Sequence, residues 1–437
     1  MRNAGRGVQM LRWMLLLGLV TGLAGCQSIE WFSSLSTTAT PTPEVTPSPF
    51  LQQSSATPTS PSAAETPVII LWLPPQFDPA NNTPDAALLQ QRLEQFMSEN
   101  PGVRIEVRVK AGSGPGGLLD SLSAAAPVAP SVMPGVVALS RSDLESAALK
   151  GLIYPLDVVY PEGLGEDWFA YARDAATIQR RLYGLPFAGD ALALIYRPAA
   201  VGAPPASWED ILRRGRAVAL APAGDALSTL VLYLGAGGAV QDENGLPTLQ
   251  HEALLRVLNL YQDGAQRGIF PSWVAGLQSD GQVWQTFLEQ RADWALTWCS
   301  HYLSDLPPNT VLHPIPALQG GTLTLANVWA WAVADPDPAR RAMSIRLAIY
   351  LSDPDFLSQW APVAGYLPTR VSVLNTWSDA NLRPLLAQVA ESARILPANP
   401  VLDGLRPILI TAAQQVLKGQ TDPLTATNIA VEQLHRP

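Results

Sequence analysis

One stretch of the chain has a glycine spacing that could bind a dinucleotide. Residues 112–117 fit the pattern Gly-x-Gly-x-x-Gly between a predicted strand and a predicted helical stretch. In dinucleotide-binding proteins an acidic residue about twenty positions later holds the ribose. Leu139 and Ser140 stand there instead. We interpret 112–117 as a connecting loop, and dinucleotide chemistry is the disfavoured alternative.

Metal and hydrolytic chemistry find little support in the residue spacing. The four histidines, His251, His301, His313 and His435, include no His-x-x-x-His pair. Cys299 with His301 is too small a set for a zinc site. No serine occupies a Gly-x-Ser-x-Gly elbow. We expect no metal and no cofactor, whereas the two facing carboxylates of a glycosidase cannot be recognised from spacing, so an extracellular carbohydrate-active enzyme remains an alternative.

Composition favours a folded protein that does not bind nucleic acid. The chain has 437 residues, 47% hydrophobic and 15% charged, which is enough material for a buried core in two lobes. Its net charge is −9, and no run of Lys or Arg follows Arg12. Phosphate backbones require clustered cations, so nucleic acid is excluded as the expected partner.

The N-terminus has the features of an export signal. Three arginines precede an uncharged apolar stretch, 13–24, that is too short to span a bilayer core of about 30 Å. The ending Leu23-Ala24-Gly25-Cys26 resembles the lipobox of bacterial lipoproteins. We predict a signal peptide at 1–25 and lipidation of Cys26, which would hold the protein on the outer side of the cytoplasmic membrane. A plain cleavable signal is the alternative.

The segment 26–67 is predicted to be a tether. It is rich in Thr, Pro and Ser and poor in apolar residues, a composition typical of semi-stiff polyproline-II geometry. The one cysteine outside the signal region, Cys299, allows no intramolecular disulfide, and its neighbours Trp294 and Trp298 predict a buried thiol.

The order of predicted elements indicates an α/β fold. Val68–Trp72 is a short apolar strand, a helix begins with Thr83 and Pro84 and ends near Asn100, and 103–109 alternates as a half-buried strand. Strand, helix and strand in this order predict a parallel sheet with crossover helices. Further predicted elements are a strand at 132–139, a central strand within 183–196, and helices at 142–150, 205–214, 249–264, 337–351, 404–418 and from Asp422 onward.

Six segments, taken in order, resemble the extracellular solute-binding proteins of ABC importers, in the sugar-binding group that includes maltose-binding protein. They are 69–72, 96–107, 134–139 with 151–157, 183–186 with 193–196, 205–212 and 365–370. Gly135 stands where that group commonly has Asp, and Arg197 where it commonly has Asn. Each motif alone is weak, and their joint order carries the resemblance.

The resemblance implies a two-lobed periplasmic-binding-protein-like fold of type II, with lobes joined by crossing hinge strands. We place one lobe at 68–187 plus 327–350 and the other at 188–326 plus 351–437. A monomer would bind a small polar ligand, expected to be a sugar, between the lobes. It would close by a hinge motion and deliver the ligand unchanged to an ABC permease. A sensor or scaffold subunit with the same fold is the alternative.

Two candidate ligand contacts follow the first strand, and two lie on the crossing strands. Trp72 ends the first strand, where α/β proteins usually bind ligands, and Gln76 lies in the loop after it. By resemblance, Asp190 occupies the position of an acidic ligand contact. Asn327 belongs to the segment that resembles the return strand of the same group.

The other candidates are aromatic, because flat rings stack on the apolar faces of sugars. By resemblance, Trp298 follows an internal strand, Trp329 lies on the return strand and Tyr366 lies in a Leu-Pro loop. Trp294 is expected in the core, and Arg370 is expected to pair with a carboxylate rather than with ligand.

Overall fold

The structure, a computed structural model, describes residues 68–157 and 165–434. The predicted signal peptide, the predicted lipidation site Cys26 and the predicted tether lie outside these residues. Among the described helices, none has both the length and the apolar content needed to cross a bilayer.

The described chain forms the strands β1 Val68–Leu73, β2 Arg104–Val109, β3 Val136–Ser140, β4 Thr177–Ile178, β5 Arg181–Leu182, β6 Leu185–Tyr196, β7 Val218–Ala219, β8 Trp294–Trp298, β9 Val311–His313, β10 Thr324–Val333 and β11 Ala393–Ile395. β1 is parallel to β2 and β3, whereas β10 is antiparallel to β3 and β6. β4 and β5 form a separate pair. The other strands join one nine-stranded sheet in the order β2-β1-β3-β10-β6-β8-β7, with β11 beside β10 and β9 beside β6.

Helices pack around this sheet, and several begin at side-chain caps such as Ser140, Ser207, Ser279 and Asp353. They are α1 Pro84–Glu99, α2 Leu118–Val128, α3 Arg141–Leu149, α4 Ala170–Ala176, α5 Pro198–Val201, α6 Trp208–Arg214, α7 Leu227–Gly235, α8 His251–Gln266, α9 Asp280–Leu288, α10 Cys299–Asp305, α11 Pro338–Leu351, α12 Pro354–Ala364, α13 Val371–Asn375, α14 Leu382–Ser392, α15 Asn399–Leu417 and α16 Pro423–Leu434.

The strand β6 connects the two halves of the sheet. Its first half pairs with β10 and its second half pairs with β8 and β9. Its side chains are buried on both faces except at Asp190, as its continuous apolar sequence predicts. Gly189 exchanges two backbone hydrogen bonds with Leu367, and a Cβ at this glycine would lie 2.2 Å from Tyr171 Oη. The crossing point is therefore closely packed.

Three apolar clusters stabilise the arrangement. One joins β1 and β3 to α2 and α3, through residues such as Trp72, Leu118 and Leu144. A second packs the β8 end of the sheet against α7, α8 and α15. The third continues from α1 and α12, past β6, to α9 and α10. Helices thus cover both faces of the sheet, which is the expected α/β class.

The structure confirms most predicted elements and corrects three boundaries. β3 begins at Val136 rather than at 132, because a 3-10 turn at Pro130–Val132 comes first. α6 begins at Trp208 rather than at 205, with Ser207 as its N-cap. α15 begins at Asn399 rather than at 404, because Pro400 is tolerated in a first helical turn.

Candidate functional site

Asp190 and Asn327 lie opposite each other on the two crossing strands. Both are half-buried. The Asp190 carboxylate accepts hydrogen bonds from the backbone N–H groups of Ala191 at 2.9 Å and Ser300 at 3.0 Å. Because Ser300 lies in the first turn of α10, this carboxylate ties the crossing strand to the element that follows β8. The structure thus brings the two predicted polar candidates together.

Burial raises the pKa of Asp190 to about 7, even though the hydrogen bonds from Ser300 and Ala191 favour the ionised form. The nearby charge of Asp280 adds to the rise. Near neutral pH the group therefore exists in both protonation states. A partly buried carboxylate of this kind is a strong acceptor for a ligand that supplies a donor.

Trp298 contacts an acidic residue that the sequence did not single out. Its indole Nε1 donates to Asp280 Oδ2 at 3.1 Å, and the ring is half-buried. Asp280 is the first residue of α9, where Ser279 is the N-cap. Burial, followed by the charge of Asp225, raises the pKa of Asp280 to about 7.

Asp225 is the third acid of this region. It lies just before α7, accepts a hydrogen bond from the Leu227 N–H at 3.1 Å, and has a pKa raised by burial. We refer to Asp190, Asp225 and Asp280 as the acidic group. Asp225 follows β7, whereas Asp280 begins α9, so the two acids come together only in the folded chain. Within the described residues, no three His, Cys, Asp or Glu side chains are placed to hold a metal ion.

An aromatic cluster lies near Asp190. Phe77 packs edge-on against Trp329, with ring centroids 5.4 Å apart, and lies 5.5 Å from the Tyr366 ring. Tyr366 stacks on Trp360 at 6.0 Å with an interplanar angle of 4°. Burial raises the pKa of the Tyr366 hydroxyl, and the charge of Asp190 adds to the rise, which places the cluster within electrostatic reach of the acid. We refer to Phe77, Trp329, Trp360 and Tyr366 as the aromatic cluster.

Trp329 and Tyr366 keep part of their surface open, whereas Phe77 and Trp360 are buried. Buried rings hold the two half-buried rings in place. The cluster can therefore present flat, fixed aromatic surface to a ligand. The sequence offered no signal for Phe77, which comes from a 3-10 turn after β1.

Trp72 and Gln76 differ from the other predicted ligand contacts in their exposure, because those are half-buried. Trp72 is only 3% exposed, packs with Leu118 and Leu122, and carries Lys110 Nζ 4.4 Å from its ring centroid. Gln76 is exposed and adjoins Phe77 in the chain. Neither has a described hydrogen bond to the acidic group.

The residues expected to be structural lie in the core. Trp294 is fully buried, with its ring 5.1 Å from that of Tyr196. Arg370 is buried and pairs with the Asp167 carboxylate. Cys299 is a buried free thiol whose pKa is raised by burial.

Comparison with known families gives a match over most of the chain. Residues 91–384 match the family described as bacterial extracellular solute-binding protein. The matched range contains β6, β10, the acidic group and the aromatic cluster except Phe77.

Solved structures with the same fold are sugar-binding proteins by their own descriptions. The sugar-binding protein MalE from Xanthomonas citri has a TM-score of 0.69 and 17% identity, over 84% of this chain and 96% of that one. A cyclo/maltodextrin-binding protein complexed with maltotetraose has a TM-score of 0.69 and 19% identity, over 85% and 98% of the chains.

The GacH receptor of Streptomyces glaucescens, studied unliganded and with acarbose, has a TM-score of 0.66 and 18% identity, over 84% and 97% of the chains. At these identities the likeness shows the fold, which is the predicted two-lobed α/β binding-protein fold.

Proposed function

Since the chain belongs to the bacterial extracellular solute-binding protein family, we propose that it binds a carbohydrate between its lobes and delivers it unchanged to an ABC permease. The observation that carries this proposal is the meeting of Asp190 and Asn327 on the crossing strands. Half-buried indole and phenol rings accompany them. A sugar offers apolar C–H faces to such rings and hydroxyl donors to such oxygens.

The position of the polar pair supports ligand-driven closure. Asp190 and Asn327 lie on the strands that both halves of the sheet share. Asp190 also accepts from Ser300, and Trp298 donates to Asp280 in the second half. A ligand that contacts the aromatic cluster and the acidic group together would favour the state that offers both sets of contacts.

The electrostatics also suit hydroxyl recognition. Burial raises the pKa values of Asp190 and Asp280 to about 7. Near neutral pH each carboxyl can therefore accept a hydrogen bond from a sugar hydroxyl or donate one to it.

Export and lipid anchoring complete the proposal. The ending Leu23-Ala24-Gly25-Cys26 supports a lipid anchor on Cys26 that keeps the binding unit beside its permease, outside the cytoplasmic membrane. Mass spectrometry of the membrane-bound protein should find an acylated Cys26 as the mature N-terminus. A Cys26→Ser variant that remained membrane-bound would contradict this.

The binding test is a thermal-shift screen against a sugar library, followed by calorimetry. A ligand that binds only the folded state raises the melting temperature in proportion to the logarithm of its concentration. Trp329→Ala and Asp190→Ala should each weaken binding about tenfold or more. Trp273→Ala is the control, because Trp273 is another half-buried indole, whose ring contacts Arg291.

Two results would oppose the proposal. Failure of every sugar to raise the melting temperature would remove carbohydrate as the ligand class. Conversion of the bound sugar into product would replace the binding protein with an enzyme.

A further inference from the structure

A cavity of about 540 Å³ adjoins the crossing strands. Arg141 and Glu145 of α3 line it on one side, and the turn after α7 lines it on the other. Leu323, just before β10, and the segment 394–398 form the rest of its wall. Ser140, which precedes Arg141, pairs with Trp329, so the cavity begins next to a predicted ligand contact.

Arg141 is a charged side chain that is buried in this wall with only part of its hydrogen-bonding capacity satisfied. It is 9% exposed, and neither Nε nor Nη1 makes a hydrogen bond within the described chain. Its nearest charge is Glu145, whose Oε2 lies 3.1 Å from Nη1. Nη1 thus has an ionic partner, whereas Nε is buried without an acceptor, which costs stability.

The position of Arg141 in its helix adds to that cost. It is the first residue of α3, where the helix dipole is positive and disfavours a cation. Burying a cation at the N-terminus of a helix is unfavourable, and an acceptor that binds from outside the chain would offset this cost. A carboxylate meets the planar fork of a guanidinium with two parallel hydrogen bonds.

The net charge of the cavity lining favours a ligand with a single negative charge. Arg141 and Arg394 contribute two positive charges and Glu145 one negative charge, so the described lining carries a net charge of +1. A carboxylate neutralises this charge, whereas a phosphate dianion overcompensates it beside Glu145. Leu323, Ile395 and Leu396 give the remaining wall an apolar face that suits a sugar ring.

Two glycines of the turn after α7 also line the cavity, beside Leu234, Val240 and Gln241. A Cβ at Gly238 would lie 2.3 Å from the Tyr233 ring, and Gly237 has a φ of +84°. Larger residues are therefore disfavoured at both positions, so this part of the wall is formed by backbone.

We propose that this cavity binds the carboxylate of an acidic sugar, so that the ligand class is uronate-bearing saccharides rather than neutral ones. The inference rests on the proposed carbohydrate function and narrows its substrate class. Arg141 would hold the carboxylate while the sugar ring extends toward Trp329 and Asn327.

The experiment compares matched acidic and neutral ligands by calorimetry on the purified protein: glucuronate with glucose, galacturonate with galactose, and digalacturonate with its dimethyl ester. The acidic member should bind about ten- to a hundredfold more tightly, as a charge-assisted pair predicts. Arg141→Gln should abolish that preference, and Arg141→Lys should keep part of it. Arg108→Gln, which removes an exposed charge near Glu106, should leave it unchanged.

The outcomes separate this inference from the function on which it rests. Equal binding of acidic and neutral members by the wild type overturns the inference, as does a preference that survives Arg141→Gln, while carbohydrate binding stands. Tighter binding of inorganic phosphate than of any carboxylate overturns it too. Binding of no saccharide of either kind overturns the proposed function and this inference together.

Discussion

The aromatic cluster and the acidic group lie close to the same pair of crossing strands but affect stability in opposite ways. Phe77 contacts Trp329 and Tyr366 and is 2% exposed, so its burial is favourable at every pH. Asp190 and Asp280 are half-buried acids whose pKa values desolvation raises to about 7, so their ionised forms are unfavourable. The aromatic cluster therefore stabilises the site, whereas the acids offer hydrogen-bonding groups to a ligand but lower the stability of the fold.

Removing the central ring of the aromatic cluster tests the stabilising half of this comparison. Phe77→Ala should lower the free energy of unfolding by about 3–5 kcal/mol, because it leaves a cavity among Trp329, Trp360, Phe187 and Tyr366. Urea unfolding followed by tryptophan fluorescence measures this. The neighbouring exposed Gln76→Ala should change stability by less than about 0.5 kcal/mol. Equal changes in the free energy of unfolding from the two substitutions would show that burial of Phe77 in the aromatic cluster does not stabilise the fold.

Neutralising Asp190 tests whether the acidic group lowers the stability of the fold. The folded-state pKa is raised above its unfolded value of 3.8, so the folded protein binds more protons between about pH 4 and 7. Stability should therefore fall as pH rises through that window. Asp190→Asn should raise stability at pH 8 by about 2 kcal/mol, after allowance for partial exposure, while weakening sugar binding. Urea unfolding at pH 5 and pH 8 checks the sign; a variant destabilised at pH 8 would contradict it.

The smallest expected effect concerns the contact between Trp298 and Asp280. Trp298→Phe keeps the aromatic ring but removes the Nε1–H that donates to the carboxylate. Because that bond favours ionised Asp280, its loss should raise the Asp280 pKa further and cost about 1 kcal/mol. NMR titration of the Asp280 carboxyl carbon measures the change. A lowered pKa would show that the indole does not stabilise the ionised form.

The fold was accessible from the sequence because local signals agree with one another. The apolar run at 68–72, the helix that starts at Pro84 and the doubly buried strand ending at Tyr196 are each visible as patterns, and all three are confirmed. Boundaries at 132, 205 and 404 were wrong, because turn and cap geometry decides them more than periodicity does.

The candidate site was accessible only in part. Asp190 and Asn327 lie on recognisable strands, so their meeting could be anticipated. Asp225, Asp280 and Arg141 could not, because each stands near the start of a helix, where caps and charges are common in any protein. What distinguishes them is burial by segments distant in the chain, and a burial of that kind leaves no local pattern.

The shared strand β6 also bears on the order in which the chain can fold. β6 and β3 both pair with β10, which is synthesised long after them. Each half of the sheet has pairings of its own, but the two halves cannot be joined until β10 exists. Pairing between segments distant in the chain is slow. The strand order that builds the crossing point therefore makes its assembly a late step in folding.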